Sequence, residues 1–172
     1  MNIRTKLLLA TVCTASLMGA AHADTFINGS FESGSLNGWT IGGGDWYGGA
    51  YPVAQDYLPG GGAYNLSSSA VTITNSAFDS NTDNVLSQVY AGSHSVQVND
   101  PYQNNSVSVI SQRVNNYSDP LIAFAYAAVL ESSHDTYDSD AFIVTLTDVT
   151  TSETLYSFNL NSATAPGVFT QS

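Results

Sequence analysis

The chain is poor in cysteine and in basic residues. Its 172 residues include one cysteine and three lysines and arginines, against 14 acidic residues, and the formal net charge is −11 at pH 7. A single cysteine allows no intramolecular disulfide, so the fold must depend on its core or on bound ions. Because so few cations could neutralise phosphates or meet anionic lipid headgroups, the composition argues against nucleic acid and anionic membranes as partners.

Long apolar runs are also few, and the first of them lies near the start of the chain. A basic n-region leads into an apolar stretch from Leu7 to Met18, followed by the small-x-small cleavage site Ala21-His22-Ala23. This pattern predicts a bacterial-type secretory signal peptide at residues 1–23. The run is shorter than the roughly 20 residues of a bilayer span. We therefore expect a secreted, extracellular or cell-surface protein, with no membrane insertion after signal removal.

Removal of the signal makes the chain still more acidic. Cys13 is lost with it, and Arg113 is the one basic residue left against all 14 acidic ones. Residues 24–172 have the length of a single domain with a sizeable core. An acidic, lysine-free exported chain favours a neutral polymer or a divalent cation as its partner, although solubility alone explains the charge equally well.

Helical periodicity is missing from the mature chain. Short apolar runs alternate with segments rich in Gly, Ser, Asn, Asp and Thr, which is typical of an all-β sandwich or barrel. Strands are predicted at 70–74, 93–98, 107–112, 121–130, 141–149 and 154–160, with a hairpin turn at 150–152. The run at 121–130 is continuously apolar and has one small-residue face, so we expect it to be a central strand.

Residues 26–39 combine two turn dipeptides with two large apolar side chains. Asn28-Gly29 and Asn37-Gly38 favour positive φ angles, while Phe31 and Trp39 favour burial. We expect a short strand, a tight turn and a second entry into a sheet. The stretch resembles the opening of galactose-binding-like jelly-roll domains, including many carbohydrate-binding modules, in which Asn-Gly-Ser/Asn-Phe-Glu precedes Gly-Trp.

Weaker echoes of the same family occur at 92–96 and 110–114, its Gly-x-x-Ser and Ser-x-Gln strands. The resemblance implies an antiparallel jelly-roll β-sandwich over 24–172. The chain also resembles the N-terminal domains of bacterial PEP-CTERM proteins, which are exported and often associated with exopolysaccharide, but it lacks their Val-Pro-Glu-Pro motif. One or two further strands normally follow in such sandwiches. We therefore expect a fragment or an unusually short member, with an exposed sheet edge.

Aromatic residues in glycine-rich loops form the first candidate site. The carbohydrate-binding candidates are Trp46, Tyr47, Tyr51 and Tyr57, with Tyr64 beside them. Rings stack on the apolar C–H faces of sugars, and loops on a rigid sandwich often carry such sites. Polar contacts could come from Asp45, Gln55 and Asp56. The alternative is that the rings pin the loops onto the sandwich as a satellite core.

The resemblance also implies a structural Ca²⁺ beside the first strand. Its carboxylate ligand corresponds to Glu32, with backbone carbonyls near Ser30 assisting. The family's second carboxylate comes from a C-terminal strand that is not evident here, and Ca²⁺ takes six to eight oxygens. Acidic loops at 79–83 and 131–140 could also hold a cation, but solvated Asx turns explain them at least as well.

No catalytic motif is found. The chain has neither Gly-x-Ser-x-Gly nor His-Glu-x-x-His, and nothing ties His94 or His134 to a nucleophile. Arg113 could recognise a sugar acid, or simply pair with a carboxylate. We predict an exported non-catalytic domain that binds a polysaccharide or glycan, either exopolysaccharide or at the cell surface. The alternatives are a structural matrix or surface spacer without a small ligand and, less favoured, a glycoside hydrolase.

Overall fold

The fold is all-β. A computed structural model describes residues 26–75, 77–99, 102, 104–115, 117, 119–130 and 139–163. The predicted signal peptide and the acidic segment 131–138 lie outside the described residues. Within the described ranges, no helix has the length and apolar character to cross a membrane.

The described strands form three antiparallel pairs. In chain order they are β1 (Thr40–Asp45), β2 (Val71–Asn75), β3 (His94–Val98), β4 (Ser106–Ser111), β5 (Ala141–Asp148) and β6 (Glu153–Asn161). β1 pairs with β4, β2 with β3 and β5 with β6, each as a two-stranded sheet. One short helix, α1 (Ala54–Tyr57), and 3₁₀ turns at Leu66–Ser68 and Ser80–Thr82 complete the described elements.

Five of the predicted strands are confirmed, as β2 to β6. Their apolar residues alternate with polar ones, and this period-2 pattern suits a strand with two unlike faces. The predicted hairpin turn is also present between β5 and β6. There the side chain of Asp148 accepts the backbone N–H of Thr150 at 2.8 Å, and Ser152 has a left-handed φ of 60°.

The predicted central strand at 121–130 is wrong. The segment is irregular and mostly exposed. Its Tyr126 ring stacks on Phe142 of β5 at 5.1 Å and lies 5.6 Å from Phe158 of β6. The run therefore contacts a face of the β5–β6 hairpin through its side chains. A continuous apolar run does not by itself distinguish a paired strand from a segment that packs only through some of its side chains.

β1 contains a glycine run and is not among the strands predicted from the sequence. Gly42, Gly43 and Gly44 are buried and pair with Val109, Ser108 and Val107 of β4. A Cβ atom on any of the three would collide with Tyr57, Ala63 or Ser69. The bare strand lets neighbouring segments approach its backbone closely, and among the described residues the one buried apolar side chain, Tyr57, lies here.

Candidate functional site

The N-terminal motif folds into turns centred on Asn28, and the expected short strand is not formed. The side-chain amide of Asn28 donates to the carbonyls of Ser35 at 2.8 Å and Asn37 at 3.3 Å. Its side-chain oxygen accepts the Ser33 hydroxyl at 2.8 Å, and its backbone carbonyl accepts the Trp39 indole N–H at 3.1 Å. One asparagine thus holds both ends of the loop.

The two large apolar residues of the motif pack on each other. The rings of Phe31 and Trp39 stack at 5.1 Å with planes 27° apart, and both residues are half-buried. Phe31 has a φ of 61°, a left-handed conformation that is unfavourable for a bulky residue. Its backbone N–H donates to the Asn28 carbonyl at 3.2 Å. The turn and the ring stack together hold this strained conformation.

Gln112 fastens the motif to the segment that follows β4. Its side-chain amide donates to the carbonyls of Ile27 at 2.7 Å and Gly38 at 2.9 Å, while its oxygen accepts the Ile27 N–H at 2.9 Å. Sequence reasoning gave Gln112 no role of its own. Its position as the glutamine of the Ser-x-Gln echo at 110–114 was the sequence signal that could have pointed to this role.

Glu32 fastens the same motif to the start of β3. Its carboxylate accepts the backbone N–H of His94 at 3.0 Å, and both of its oxygens lie 3.0 Å from the Ser93 nitrogen. These two N–H groups, with a smaller contribution from the His94 imidazole, lower the pKa of Glu32 below its ordinary 4.5. Gly92 has a φ of +81°, and a Cβ atom there would collide with the carboxylate.

We call residues 26–39, with these contacts of Glu32 and Gln112, the N-terminal clasp. His94 lies against it, since a Cβ atom at Gly34 would be 3.4 Å from the imidazole Nε2. The other ring nitrogen, Nδ1, is buried and has no hydrogen-bond partner within the described part of the chain. The clasp brings the motif and both of its echoes, 92–96 and 110–114, into contact.

The residues suggested for Ca²⁺ fit such a site only in part. Ser30 is exposed, and both oxygens of Glu32 already accept backbone N–H groups. A carboxylate retains further lone pairs, so coordination remains chemically open to it. Within the described ranges there is no group of three or more His, Cys, Asp or Glu side chains that could hold a metal ion. Most ligands would have to be backbone carbonyls or water.

Three of the four carbohydrate-binding candidates lie on one loop, 46–51. The Trp46 ring stacks on Tyr51 at 5.6 Å with planes 28° apart, and its indole N–H donates to the Ala50 carbonyl at 3.1 Å. The backbone N–H of Trp46 donates to the Asn105 carbonyl at 2.7 Å. Tyr47, next to this pair, is 81% exposed. We call Trp46, Tyr47 and Tyr51 the aromatic platform.

Tyr57 does not join the platform. It ends α1 and is only 7% exposed, with its hydroxyl 3.5 Å from the Asp45 carbonyl. Burial raises the pKa of Tyr57 above its ordinary 10.0, and the charges of Asp56 and Asp45 add to the rise. A ring enclosed in this way offers no face to a ligand, so its position in a core fits the satellite-core alternative.

The acidic loop at 79–83 forms a capped turn. The side chain of Asp79 accepts the Asn81 N–H at 2.9 Å and begins the 3₁₀ turn Ser80–Thr82. Asp83 follows with a left-handed φ of 52°. These are the features of a local Asx turn.

Two other candidate residues remain. Arg113 is exposed, and His134 lies outside the described residues.

Searches of the chain against protein-family models, curated proteins and solved structures found no match.

Proposed function

We propose that the chain is an exported, non-catalytic domain that binds carbohydrate through the aromatic platform. The partner is a polysaccharide, either exopolysaccharide or a cell-surface glycan. The observation that carries the proposal is the 81% exposure of Tyr47, which directly follows Trp46 of the stacked Trp46–Tyr51 pair in the chain. Pyranose rings present apolar C–H faces, and tyrosine and tryptophan combine an apolar ring with a polar edge.

Anchoring of the loop supports a binding role. A single exposed apolar residue is common on proteins, but the neighbour of Tyr47 is held by hydrogen bonds to Ala50 and Asn105. A platform that is ordered before binding loses less conformational freedom on binding. Asp45, Gln55 and Asp56 are exposed near this loop in sequence and supply polar groups for sugar hydroxyls.

The proposal also covers the type of β-sandwich and the export of the chain. We assign it to an antiparallel jelly-roll sandwich of the galactose-binding-like type, exported by the signal at 1–23. The support is the N-terminal clasp, which joins the motif to both echo segments through Glu32 and Gln112. In the same proposal a structural Ca²⁺ is bound by Glu32 and the Ser30 carbonyl, with backbone carbonyls and water as its other ligands.

Affinity electrophoresis of the full chain through gels containing neutral polysaccharides tests the platform. We expect at least one polysaccharide to retard the protein, and Tyr47→Ala to weaken binding roughly tenfold, which corresponds to about 1.4 kcal/mol. Tyr90→Ala is the matched control, because Tyr90 is 88% exposed and lies outside the platform. Retardation that survives both Tyr47→Ala and Trp46→Ala would contradict the proposal.

The second candidate is a structural spacer of the matrix or cell surface. It is favoured by the hydrogen bond from Trp46 to Ala50 and the stack on Tyr51, which close the loop upon itself. In that case the rings stabilise the loop and no glycan binds. Trp46→Ala would then lower the melting temperature, while no polysaccharide would retard the unmutated protein.

A further inference from the structure

An open cavity of about 290 Å³ lies over one face of the β2–β3 sheet. Polar side chains dominate its lining, and none of them belongs to the aromatic platform or to the N-terminal clasp. Its polar lining residues include Thr72, Asp79, Asn81, Gln88, Gln97 and Asn99. Within this group, the sequence indicated only the loop at 79–83, as a possible cation site, and no sugar site.

The polar character of this face follows from the register of the two strands. Val71 pairs with Val98 and Ile73 with Val96, whereas Thr72 pairs with Gln97. Successive side chains of a strand point to opposite faces of the sheet. The valine and isoleucine pairs therefore share one face, and Thr72 and Gln97 share the other.

The chain after β2 folds back beside this polar face and forms the cavity wall. The backbone N–H of Asp79 donates to the Leu86 carbonyl at 2.8 Å, and that of Gln88 donates to the Ala77 carbonyl at 2.9 Å. The Thr74 hydroxyl donates to the side-chain oxygen of Gln88 at 2.6 Å. Backbone hydrogen bonds within the wall therefore hold it together, and the bond between Thr74 and Gln88 attaches it to β2.

Hydrogen bonds from neighbouring residues orient the lining groups. The Asn99 side-chain oxygen accepts the hydroxyls of Ser106 at 2.8 Å and Ser108 at 3.3 Å, which leaves the Asn99 amide N–H groups as donors. The oxygen of Gln88 accepts from Thr74, which leaves its N–H groups in the same way. One oxygen of Asp79 accepts the Asn81 N–H, so the other remains an acceptor.

We propose that this cavity binds one ring of a neutral polyhydroxyl compound, either a monosaccharide or the terminal sugar of a glycan. Each sugar hydroxyl both donates and accepts, which matches side-chain amides beside a single carboxylate. No cationic side chain is among the described residues that line it, so an anionic ligand would lack a counter-charge. A single carboxylate also supplies too few oxygen ligands for Ca²⁺, which takes six to eight.

The dimensions agree with this ligand. A volume of about 290 Å³ is at the lower end for small-molecule sites, and it suits one sugar ring. Tyr102 is also part of the lining and is 88% exposed, so its ring can stack on the apolar face of a sugar. The cavity and the aromatic platform are separate sites, and either can bind without the other.

Nuclear magnetic resonance titration of the full ¹⁵N-labelled chain tests the cavity. The probes are D-glucose, D-galactose, D-mannose and, in a separate titration, Ca²⁺ alone. We expect saturable shifts of the side-chain amide signals of Gln88, Gln97 and Asn99 with at least one sugar. Absence of such shifts with all three sugars, or the same shifts with Ca²⁺ alone, would overturn the proposal.

Variants separate this site from the platform. Gln97→Ala and Asn81→Ala should each weaken the sugar affinity about tenfold or more, and Asn81 is an exposed position whose replacement should leave the fold intact. Asn159→Ala, an exposed asparagine on β6 outside the cavity, is the matched control. Tyr47→Ala should weaken polysaccharide retardation but leave the monosaccharide shifts. Unchanged affinity in a folded Asn81→Ala and Gln97→Ala pair would sink the cavity proposal while leaving the platform untouched.

Discussion

Glu32 and His94 are 62 residues apart in the chain, and the carboxylate of Glu32 accepts the backbone N–H of His94 at 3.0 Å. Through this contact the loop before β1 is held against the start of β3. Gln112 holds the same loop to the segment after β4. The N-terminal clasp therefore links elements that belong to two different sheets.

Acid should weaken the clasp through Glu32. Its pKa is held below the ordinary 4.5 by two backbone N–H groups, so its contribution to stability is present above pH 4.5 and is lost as the pH falls through the folded-state pKa. Urea unfolding from neutral pH into acid should show a smaller loss of stability over this interval for Glu32→Gln than for the unmutated chain. Glu153→Gln, on the exposed end of β6, is the control. Equal losses of stability in acid for Glu32→Gln and for the unmutated chain would contradict the prediction.

Gly92 should be less replaceable than a glycine with similar backbone geometry. Gly92 and Gly60 have φ angles of +81° and +92°, but a Cβ atom meets the Glu32 carboxylate only at Gly92 and finds open space at Gly60. Gly60→Ala should cost about 1–2 kcal/mol from backbone strain, and Gly92→Ala should cost more. Urea unfolding midpoints at constant slope measure both. Equal costs would show that the carboxylate moves away freely.

Gln112→Ala should destabilise the domain by about 1–3 kcal/mol, because it removes several hydrogen bonds at once. Two of its three partners are backbone carbonyls of the N-terminal motif. Gln55→Ala, an exposed glutamine on α1, should change stability by no more than about 0.5 kcal/mol. Chemical denaturation compares the two variants. A neutral Gln112→Ala would mean that the motif holds its place without this side chain.

Alkaline pH should destabilise the protein through Tyr57. Burial raises the pKa of Tyr57 above 10.0, so its contribution to stability is present below pH 10 and is lost as the pH rises through the folded-state pKa. Tyr57→Phe keeps the ring in place and should lose less stability between about pH 8 and pH 11.

Tyr117→Phe provides the contrast for Tyr57→Phe. The pKa of Tyr117 is also raised by burial, with Asp119 adding to the rise, but its hydroxyl donates to the Leu121 carbonyl at 2.6 Å. Its replacement should therefore weaken the protein already at neutral pH. Unfolding curves at neutral and at alkaline pH distinguish the two tyrosines. Equal losses of stability at alkaline pH in Tyr57→Phe and in the unmutated chain would contradict the role given to Tyr57.

Calcium should raise the melting temperature if the ion binds at Glu32. We expect a rise of several degrees between EGTA and millimolar Ca²⁺ in thermal unfolding, and no rise in Glu32→Ala. The Ca²⁺-dependent increment is the relevant quantity, because Glu32→Ala also removes the bonds to Ser93 and His94. A cooperative transition with no shift in the unmutated chain would rule out the proposed ion.

Most strands could be predicted from sequence, because their side chains record which face is buried. Thr72, Ile73 and Thr74 of β2 alternate in this way. β1 could not be predicted, because its glycines carry no side chains and its burial comes from residues far along the chain, such as Ser69. The strand predicted at 121–130 was wrong for a different reason. Its side chains are apolar, as a strand in a sheet would require, but the sequence does not encode whether the segment pairs with another strand.

The candidate site was predictable in its parts but not in its assembly. The motif at 26–39 and its echoes at 92–96 and 110–114 were recognised separately, whereas the carboxylate and amide contacts that join them depend on the folded chain. Tyr57 resembles its neighbours Tyr47 and Tyr51 in sequence context. Its burial follows from the bare backbone of β1: the ring takes the space that a side chain at Gly44 would need, and the Tyr57 backbone lies against Gly42.

The bare middle of β1 also bears on the order of folding. Sliding a strand by one residue normally turns its apolar side chains to the wrong face, and this penalty fixes the register. Along Gly42, Gly43 and Gly44 the slide carries almost no such penalty, so β1 alone cannot select its position on β4. The selection comes from Tyr57 and Ser69, which fit against particular glycines. We therefore expect β1 to reach its native register only when the segment that follows it has folded back.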